Sequence, residues 1–319
     1  MDQFAGKLAV VTGGGSGMGR ELARQLSAEG CHVAVCDVSE TAMADTRLQC
    51  EEDAPAGTVI STFVADVSDE AQLVAFRDHV AEAHATDHLE LLFNNAGIGG
   101  GGSFVNDQRD EWEQVFGICW GGVYLGTRTF LPMLLASEAG HVVNTSSVNG
   151  FWATLGGNAH TAYSAAKFAV KGFTEALITD FRVNAPHLRA SVVMPGHIGT
   201  DIVINSRKVL LETDDELTDE EVEQMRENMK SRGMPVDGVS ADDLRSFMKM
   251  MGEGFRDNAP MTAAQAATVI LDGVRSNTWR ILVGEDAKEL DEAVRKDPIA
   301  AYAGLSLGTI TDVVAPGAE

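Results

Sequence analysis

The chain has 319 residues, of which 45% are hydrophobic and 22% charged, and 24 basic against 47 acidic residues give it a net charge of −23. A field of that sign repels phosphate backbones and anionic lipid headgroups, so we expect neither nucleic acid nor a membrane surface as a partner. The apolar runs end before the roughly 18 residues of a membrane span, and the four cysteines form no CxxC pair, which predicts a reduced, cytoplasmic protein.

Short apolar runs alternate with stretches of helical length from the start of the chain. The runs are rich in Val, Leu and Ile and are bounded by Gly, Asp or Pro, as buried strands are. Strands are predicted at Lys7–Thr12, His32–Asp37, Thr58–Ala65, Leu89–Phe93, His141–Thr145, Arg189–Met194 and Trp279–Val283. Helices are predicted at Met18–Glu29, Asp69–Ala85, Ala162–Asn184 and Ala263–Ser276. This alternation predicts an α/β fold with a doubly wound parallel sheet.

A glycine-rich turn joins the first predicted strand to the first helix, with the sequence Thr12-Gly13-Gly14-Gly15-Ser16-Gly17-Met18-Gly19. Its pattern is TGxxxGxG rather than the common GxGxxG. Glycines allow the backbone to turn tightly and to approach a pyrophosphate, whose charge then faces the positive end of the helix. The position directly after a strand favours a dinucleotide site in a Rossmann-type domain over a simple tight turn.

Asp37 ends the second predicted strand, 18 residues after Gly19. A carboxylate there can accept hydrogen bonds from both hydroxyls of an adenosine ribose and would repel a 2′-phosphate. No Arg or Lys stands in the glycine turn or beside Asp37 in the sequence to receive that phosphate. A helix N-cap is the alternative role for an Asp at a strand end. Together with the glycine turn, Asp37 predicts NAD rather than NADP as the cofactor.

A phenol and an ammonium group stand four residues apart in Tyr163-Ser164-Ala165-Ala166-Lys167, and therefore on one face of a predicted helix. A fixed cation beside a phenol favours the phenolate, so the pair predicts a proton donor or acceptor usable near neutral pH. Ser147 closes the fifth predicted strand, at the edge of the sheet where ligands bind in folds of this kind.

Residues 201–262 interrupt the alternation, with helical patterning and no predicted strand. Eight carboxylates and no basic residue lie from Glu212 to Glu223, and 7 of the 12 methionines lie between Asp201 and Met261. Two interpretations stay open: an acidic, solvated face over a loosely packed helical pair, or a helical lid whose apolar underside covers a substrate. A C-terminal extension, about 285–319, follows the last predicted strand.

The chain resembles the short-chain dehydrogenase/reductase family from about Lys7 to Thr200, in five motifs that follow the family's order. They are the TGxxxGxG turn at Thr12–Gly19, Asp66-Val67, Asn94-Asn95-Ala96-Gly97, Ser147 with Tyr163 and Lys167, and Pro195-Gly196 with Thr200. Each motif alone is weak evidence, whereas the ordered set makes a chance match negligible.

The resemblance implies roles for these residues. Tyr163 would be the general acid or base, Lys167 would bind the nicotinamide ribose and lower the pKa of the tyrosine, and Ser147 would hydrogen-bond the substrate oxygen. The implied cofactor-binding residues are Gly13, Ser16, Gly17 and Met18 at the pyrophosphate and its ribose, Asp37 at the adenosine ribose, Asp66 and Val67 beside adenine, Asn95 beside the fourth strand, Tyr163 and Lys167, and Ile198 and Thr200 at the carboxamide. No metal site is expected, and His79, His84 and His88 are predicted to be surface residues.

The chain departs from the family pattern at two places near the predicted site. Cys119 stands where the family usually has an Asn that helps hold a proton-relaying water, and a thiol is a weak donor and a weak acceptor. We expect another group or a water to replace that Asn. The segment between the predicted catalytic serine and tyrosine is longer than usual and contains Phe151, Trp152 and His160. Its aromatic side chains either serve packing or form a wall for an apolar or ring-bearing substrate, and we slightly favour the wall.

The sequence therefore predicts an NAD-dependent oxidoreductase that interconverts a hydrophobic secondary alcohol, steroid-like or aromatic, and its ketone. A catalytically silent NAD-binding regulator is one alternative, motivated only by Cys119. A non-redox member of the same fold, such as a dehydratase or a dehalogenase, is another, although it would not need an intact nicotinamide site. The resemblance also implies a homodimer or homotetramer formed through the helical stretches 107–136 and 162–184.

Overall fold

The computed structural model has a central sheet of seven parallel strands. It describes residues 3–106, 108–154, 159–211, 217–231 and 235–303, without the side chains of Gln224, Asn228, Ser231 and Ala303. The strands of the chain are β1 (Leu8–Thr12), β2 (His32–Asp37), β3 (Ile60–Val64), β4 (Leu91–Asn94), β5 (Gly140–Thr145), β6 (Leu188–Pro195), β7 (Ile198–Gly199), β8 (Met261–Thr262) and β9 (Arg280–Val283). The sheet order is β3-β2-β1-β4-β5-β6-β9, and every pairing in it is parallel. The predicted α/β fold with a doubly wound sheet is confirmed.

Twelve α-helices connect and cover the strands of the described chain. They are α1 (Gly17–Ala28), α2 (Glu40–Asp53), α3 (Glu70–Ala83), α4 (Arg109–Phe116), α5 (Gly122–Ala136), α6 (Thr161–Asn184), α7 (Ile202–Leu211), α8 (Asp219–Ser231), α9 (Ala241–Asp257), α10 (Ala263–Arg275), α11 (Glu285–Lys296) and α12 (Ala300–Ala303). A π-helical turn, Gly117–Gly121, joins α4 to α5, and a single 3₁₀ turn, Val148–Gly150, follows β5. None of the described helices is both long and apolar enough to cross a bilayer.

Two apolar clusters, one on each face of the sheet, form the core. Successive side chains of a strand point to opposite faces, so Val10 joins the cluster covered by α3, α5 and α6, while Ala9 and Val11 join the one covered by α1, α2 and α10. Because both faces are covered, most strands are buried along nearly their whole length instead of alternating between buried and exposed residues. The carboxyl ends of the strands are thereby left at one open edge.

The segment after β6 forms a short two-stranded pairing and then the helical insertion, α7 to α9. Ile198 of β7 pairs with Met261 of β8, so the prediction of no strand up to Met261 is wrong at its last residue. Within the insertion, α8 and α9 enclose an apolar cluster of their own, in which Met229 is buried and Met225 partly buried. These two methionines serve packing between helices, while Met234 lies outside the described residues.

Histidines near β2, β3 and α3 are less exposed than the sequence predicts. Only His88 is exposed, whereas His79 and His84 are half-buried, and His84 Nε2 lies 2.9 Å from the Ser61 hydroxyl. The prediction of surface histidines is therefore wrong for two of the three, because α3 packs its histidine-bearing face toward the β3 edge of the sheet. Among the described residues, no group of three His, Cys, Asp or Glu side chains could hold a metal ion.

The predicted homo-oligomer stays a prediction. Its two candidate helices, α5 and α6, each present an aromatic side chain to solvent, Tyr124 and Phe168 respectively. Asp107, the first residue of the predicted contact stretch, lies outside the described residues.

Because His141 is buried, we expect the fold to lose stability at acid pH. This histidine is buried in β5 and its Nε2 lies 2.7 Å from Ser191 Oγ, whose proton goes to the Thr278 carbonyl. Burial lowers the pKa of His141 from 6.5 to about 4. The unfolded chain therefore takes up the proton first, so this contribution is complete above pH 6.5 and is lost as the pH falls toward 4. We expect a loss of about 3 kcal/mol in unfolding free energy over this window.

Denaturant unfolding of wild type and His141→Gln between pH 7 and pH 4 checks this expectation. The variant should show a shallower loss, because its amide can still donate to Ser191 but does not titrate. His88→Gln, at an exposed position, should keep the wild-type slope. Equal slopes for wild type and His141→Gln would contradict the assignment to His141.

Candidate active site

The predicted site motifs meet at the carboxyl edge of the sheet. The glycine turn follows β1, Asp37 ends β2, Asp66 and Val67 follow β3, Asn95 follows β4, Ser147 follows β5, and Thr200 follows the short strand after β6. The order of the strands reverses between β1 and β4, and ligands of doubly wound sheets bind in the crevice at such a reversal. The fold thus brings residues from most of the chain to one crevice.

The glycine turn is shaped by close backbone approaches. Gly13 has φ +63° and a Cβ there would lie 2.6 Å from the Cα of Ala96, while a Cβ at Gly19 would overlap the carbonyl oxygen of Gly13. Asn95 braces the turn from β4, donating from Nδ2 to the carbonyls of Thr12 and Gly13 at 3.2 and 3.3 Å. Its side chain therefore supports the turn rather than facing the crevice.

The N-terminus of α1 is available to an anion. Its N-cap, Ser16, makes no capping hydrogen bond to the first turn, and no acidic residue of the described chain lies in that turn. By contrast, α2 is capped by Ser39 and α3 by Asp69, and each has a glutamate in its first turn. Free backbone N–H groups and the helix dipole together favour a phosphate at this position. The residues of the turn thus fit the pyrophosphate of a dinucleotide.

Asp37 is held in a fixed orientation at the end of β2. Its Oδ2 accepts from the backbone N–H of Gly15 at 2.9 Å, and its Oδ1 accepts from that of Ser39 at 3.1 Å. A basic residue outside the turn lies near it in space: Arg20 of α1 donates to the Gly15 carbonyl and to Thr46 Oγ1. Its Nε and Nη2 groups are thereby engaged by the protein.

Other predicted cofactor residues differ in how they face the crevice. The side chains of Val67 and Ile198 are buried in the core and that of Met18 packs against it, so only their backbones are available to a ligand. Asp66 accepts from the N–H and the hydroxyl of Ser68, both at 2.8 Å. The Thr200 side chain lies opposite the glycine turn, where a Cβ at Gly17 would come within 3.1 Å of its methyl group.

Ser147, Tyr163 and Lys167 form a connected group. The 3₁₀ turn after β5 holds Ser147 Oγ, which accepts from the N–H of Asn149 at 3.1 Å and lies close enough to the Tyr163 hydroxyl to lower its pKa. Lys167 is buried one helical turn away, with Nζ 5.3 Å from the centre of the Tyr163 ring and donating to the Thr145 carbonyl at 3.0 Å. The spacing of four residues predicted from the sequence does place both side chains on one face of α6.

Burial raises the pKa of Tyr163, while Lys167 and the hydrogen bond from Ser147 act in the opposite direction. The side chain is only half-buried, but the protein around it removes enough water to make a phenolate costly. Lys167 lowers the pKa of the tyrosine, as expected, but the net effect is upward because desolvation is the larger influence. The physical reason is desolvation, which a sequence motif does not reveal.

Cys119, which we expect to replace the Asn of the family pattern unless a bulge shifts the alignment by one residue, lies near Lys167. It lies in the π-helical turn, buried, and its thiol donates to the Ile98 carbonyl at 3.2 Å. Gly97 lies between the thiol and the ammonium: a Cβ there would be 3.4 Å from Lys167 Nζ and 3.6 Å from Cys119 Sγ. The thiol thus supplies one donor at the edge of the catalytic group.

Residues 7–210 match the family described as short chain dehydrogenase. The chain belongs to the short-chain dehydrogenase family. It is similar to the oxidoreductase SadH of Mycobacterium tuberculosis, with 32% identity over 295 residues and 92% of each chain covered. Levodione reductase of Leifsonia aquatica is 35% identical over 209 residues, which cover 65% of this chain and 75% of that one.

A solved structure of a short-chain dehydrogenase/reductase from Burkholderia phymatum, in complex with NAD, superposes with a TM-score of 0.73 at 29% identity. The similarity covers 94% of this chain and 96% of that one. The short-chain dehydrogenase fold is therefore shared along almost the whole length of the chain.

The helical insertion of this short-chain dehydrogenase makes a contact to the crevice that no sequence motif indicates. Asn205 of α7 donates from Nδ2 to Ser16 Oγ at 3.1 Å, and the next residue, Ser206, accepts from the N–H of Gly99 at 2.7 Å. Helix α7 thus spans from the glycine turn to the loop after β4. Two polar residues within the otherwise apolar start of α7 are the signal that could have revealed this.

Proposed function

We propose that this short-chain dehydrogenase is an NAD-dependent oxidoreductase that interconverts a hydrophobic secondary alcohol and its ketone. The observation that carries the proposal is the connected group of Ser147, Tyr163 and Lys167 at the carboxyl edge of the sheet, next to an uncapped helix N-terminus that suits a pyrophosphate. The three side chains can transfer the proton of an alcohol, and the helix N-terminus can bind the dinucleotide that exchanges hydride.

Each residue of the group has a distinct task in the proposed reaction. NAD, when bound, supplies the acceptor for the hydride that leaves the alcohol carbon. Tyr163 takes the hydroxyl proton in oxidation and returns it to the carbonyl oxygen in reduction. Ser147, whose Oγ accepts from Asn149 N–H, keeps its own proton for Tyr163 or for the substrate oxygen. Lys167 stabilises the phenolate by its charge.

The raised pKa of Tyr163 bears on direction and pH. A protonated phenol is ready to donate to a ketone near neutral pH, whereas oxidation needs the phenolate. We therefore expect oxidation to accelerate as the pH rises and reduction to work well at neutral pH.

NAD is preferred over NADP in this proposal. Both carboxylate oxygens of Asp37 are held by backbone N–H groups at the place where an adenosine ribose would lie, and a fixed carboxylate repels a 2′-phosphate. Arg20 does not offset this repulsion, because its guanidinium is bound to Gly15, Thr46 and Ala42 below the turn.

The substrate class rests on the helical insertion, which we propose acts as a lid. Its first helix reaches the glycine turn through Asn205 and also packs near the loop after β4, where Leu210 lies within 2.9 Å of a Cβ placed on Gly100. Apolar side chains of the insertion, Phe247 and Met250 among them, are exposed. An apolar helical cover suits a hydrophobic alcohol or ketone. The name of the relative levodione reductase points to a ketone substrate for that protein.

A catalytically silent NAD-binding regulator is the second candidate. The only support for this candidate is the departure from the family pattern at Cys119. The thiol nevertheless makes a defined hydrogen bond beside the intact catalytic group. A regulator has no need of Ser147, Tyr163 and Lys167 together, and a non-redox enzyme has no need of the glycine turn, Asp37 and Thr200.

Spectrophotometric assays with NAD and, separately, NADP against a panel of secondary alcohols, and with NADH against the corresponding ketones, test the proposal. We expect turnover with NAD and with the larger, apolar substrates. Saturable NAD binding without turnover of any panel member would overturn the oxidoreductase proposal in favour of the regulator.

Cys119→Asn should change kcat by less than about twofold, because an amide can donate to the Ile98 carbonyl as the thiol does. Steady-state kinetics with NAD and the best alcohol measure the effect, and thermal unfolding verifies that the variant is folded. A gain of orders of magnitude would show instead that the native proton relay is impaired.

A further inference from the structure

The C-terminal extension lies directly against the loop that follows the catalytic serine. Helix α11 and its successor α12 pack beside residues 148–153, which connect Ser147 to the region before Tyr163. None of the roles derived above involves this extension. Its contacts with the loop are both polar and apolar.

Two hydrogen bonds join α12 to the loop. The indole Nε1 of Trp152 donates to the carbonyl of Ala301 at 3.1 Å, and the backbone N–H of Ala153 donates to the Tyr302 hydroxyl at 3.1 Å. The Trp152 indole and the Tyr302 ring are thus each oriented by a hydrogen bond to a partner 149 residues away in the chain. A nonspecific apolar contact would not need either bond.

Helix α11 also packs against the same loop. Phe151 and Trp152 are buried in an apolar cluster with Ala287 of α11 and with Val192 and Met194 of β6. The guanidinium of Arg280 lies 5.6 Å from the centre of the Phe151 ring and forms a buried ion pair with Asp291 of α11. Of the two interpretations of these rings, packing is the one the structure supports.

The loop transmits these contacts to the catalytic group. Asn149 is buried, donates from Nδ2 to the Trp152 carbonyl at 3.3 Å, and donates from its backbone N–H to Ser147 Oγ. At the other end of the loop, Ser164, the neighbour of Tyr163, donates to the Ala153 carbonyl at 3.2 Å. The loop is therefore held between α12 and both hydroxyl-bearing residues of the site.

We propose that α12 positions the substrate-side loop, with Tyr302 as the positioning residue, and thereby controls how bulky an alcohol or ketone the site accepts. The inference rests on the proposed oxidoreductase function and extends it to specificity. A substituent on the carbinol carbon would extend past Ser147 toward this loop. A bulky substituent would contact the loop, so its binding depends on where the loop lies, whereas a small substituent would not reach it.

Tyr302→Phe tests the proposal, because it removes only the acceptor of the Ala153 N–H. The matched control is Ile299→Ala, an exposed position three residues earlier in the same segment. We expect kcat/KM for 1-phenylethanol to fall about tenfold, the effect of one lost hydrogen bond, and kcat/KM for 2-butanol to stay within about twofold. The KM for NAD should not change, and the melting temperature should fall by no more than about 4 °C. The control should match wild type in every respect.

Hydrogen–deuterium exchange provides a readout that does not depend on turnover. In Tyr302→Phe, the amides of 148–154 should exchange faster than in wild type, while those of β1 should not change. Unaltered exchange in this segment, or an equal fall for both alcohols, would overturn the proposal. If wild type turned over no alcohol at all, the proposed function would fail, and the exchange data would still decide whether Tyr302 holds the loop.

Discussion

Replacing Tyr163 by Phe is expected to lower kcat for oxidation of a secondary alcohol by about 10²–10⁴-fold, the usual contribution of a positioned acid or base. The ring remains in its place in α6, but the hydroxyl near Ser147 is lost, and with it the path for the alcohol proton. Stopped-flow and steady-state measurements of NADH formation would show the effect. The affinity for NADH, from fluorescence titration, should stay within about threefold, because the glycine turn is untouched.

The matched control is Tyr124→Phe, which removes a hydroxyl from an exposed tyrosine on α5 and should leave kcat unchanged. Lys167→Met serves as a companion variant. Because Lys167 lowers the pKa of Tyr163, its removal should move the rise in oxidation rate to higher pH. Lys171→Met, at the next helical turn and paired with Glu175, should not move it. Near-normal activity of Tyr163→Phe would rule out the tyrosine as the proton-transferring group.

Combining Asp37→Ser with Val38→Arg is expected to shift the ratio of kcat/KM for NAD over NADP by at least about a hundredfold toward NADP. The serine removes the fixed carboxylate that bonds Gly15 and Ser39. Val38 is exposed directly after it, so an arginine there can reach a 2′-phosphate. A lost charged hydrogen bond and a gained charge-assisted pair each contribute about tenfold or more.

Kinetics of both single variants and of the double variant, with each dinucleotide, separate the two contributions. Leu48→Arg adds the same charge at an exposed position on α2 and should leave the ratio as in wild type. If wild type already used NADP as well as NAD, or if the double variant kept the wild-type ratio, Asp37 would not be the residue that discriminates between the two cofactors.

The elements that the sequence predicted well are those whose signal is local. Strand β2 has the predicted bounds, His32–Asp37, while β3 and β4 are shifted or shortened by one to three residues. Strand ends are hard to predict because backbone hydrogen bonds to a neighbouring strand, rather than side-chain pattern, decide where pairing stops. Helix α6 begins within one residue of the predicted start and ends as predicted, since its apolar spacing persists over several turns.

The residues of the candidate site also divide into those with a local sequence signal and those without one. The glycine turn, Asp37, Ser147, Tyr163 and Lys167 were identified from the sequence because each lies at a recognisable spacing from a strand or from another motif. Their roles stay predictions until the variants above are measured. The residues that were missed, Arg20, Asn205 and Tyr302, reach the site through contacts with partners that no spacing rule connects to them.

By itself, the sequence determined the sheet class, the family and the identity of the catalytic and cofactor candidates, because these depend on periodicity and on short motifs. Only the tertiary structure decided the direction in which the pKa of Tyr163 moves, since desolvation depends on everything packed around the hydroxyl. It also decided that Phe151 and Trp152 serve packing and that α12 is bonded to their loop. Such contacts join segments far apart in the chain, and their geometry is fixed only when the core between them is packed.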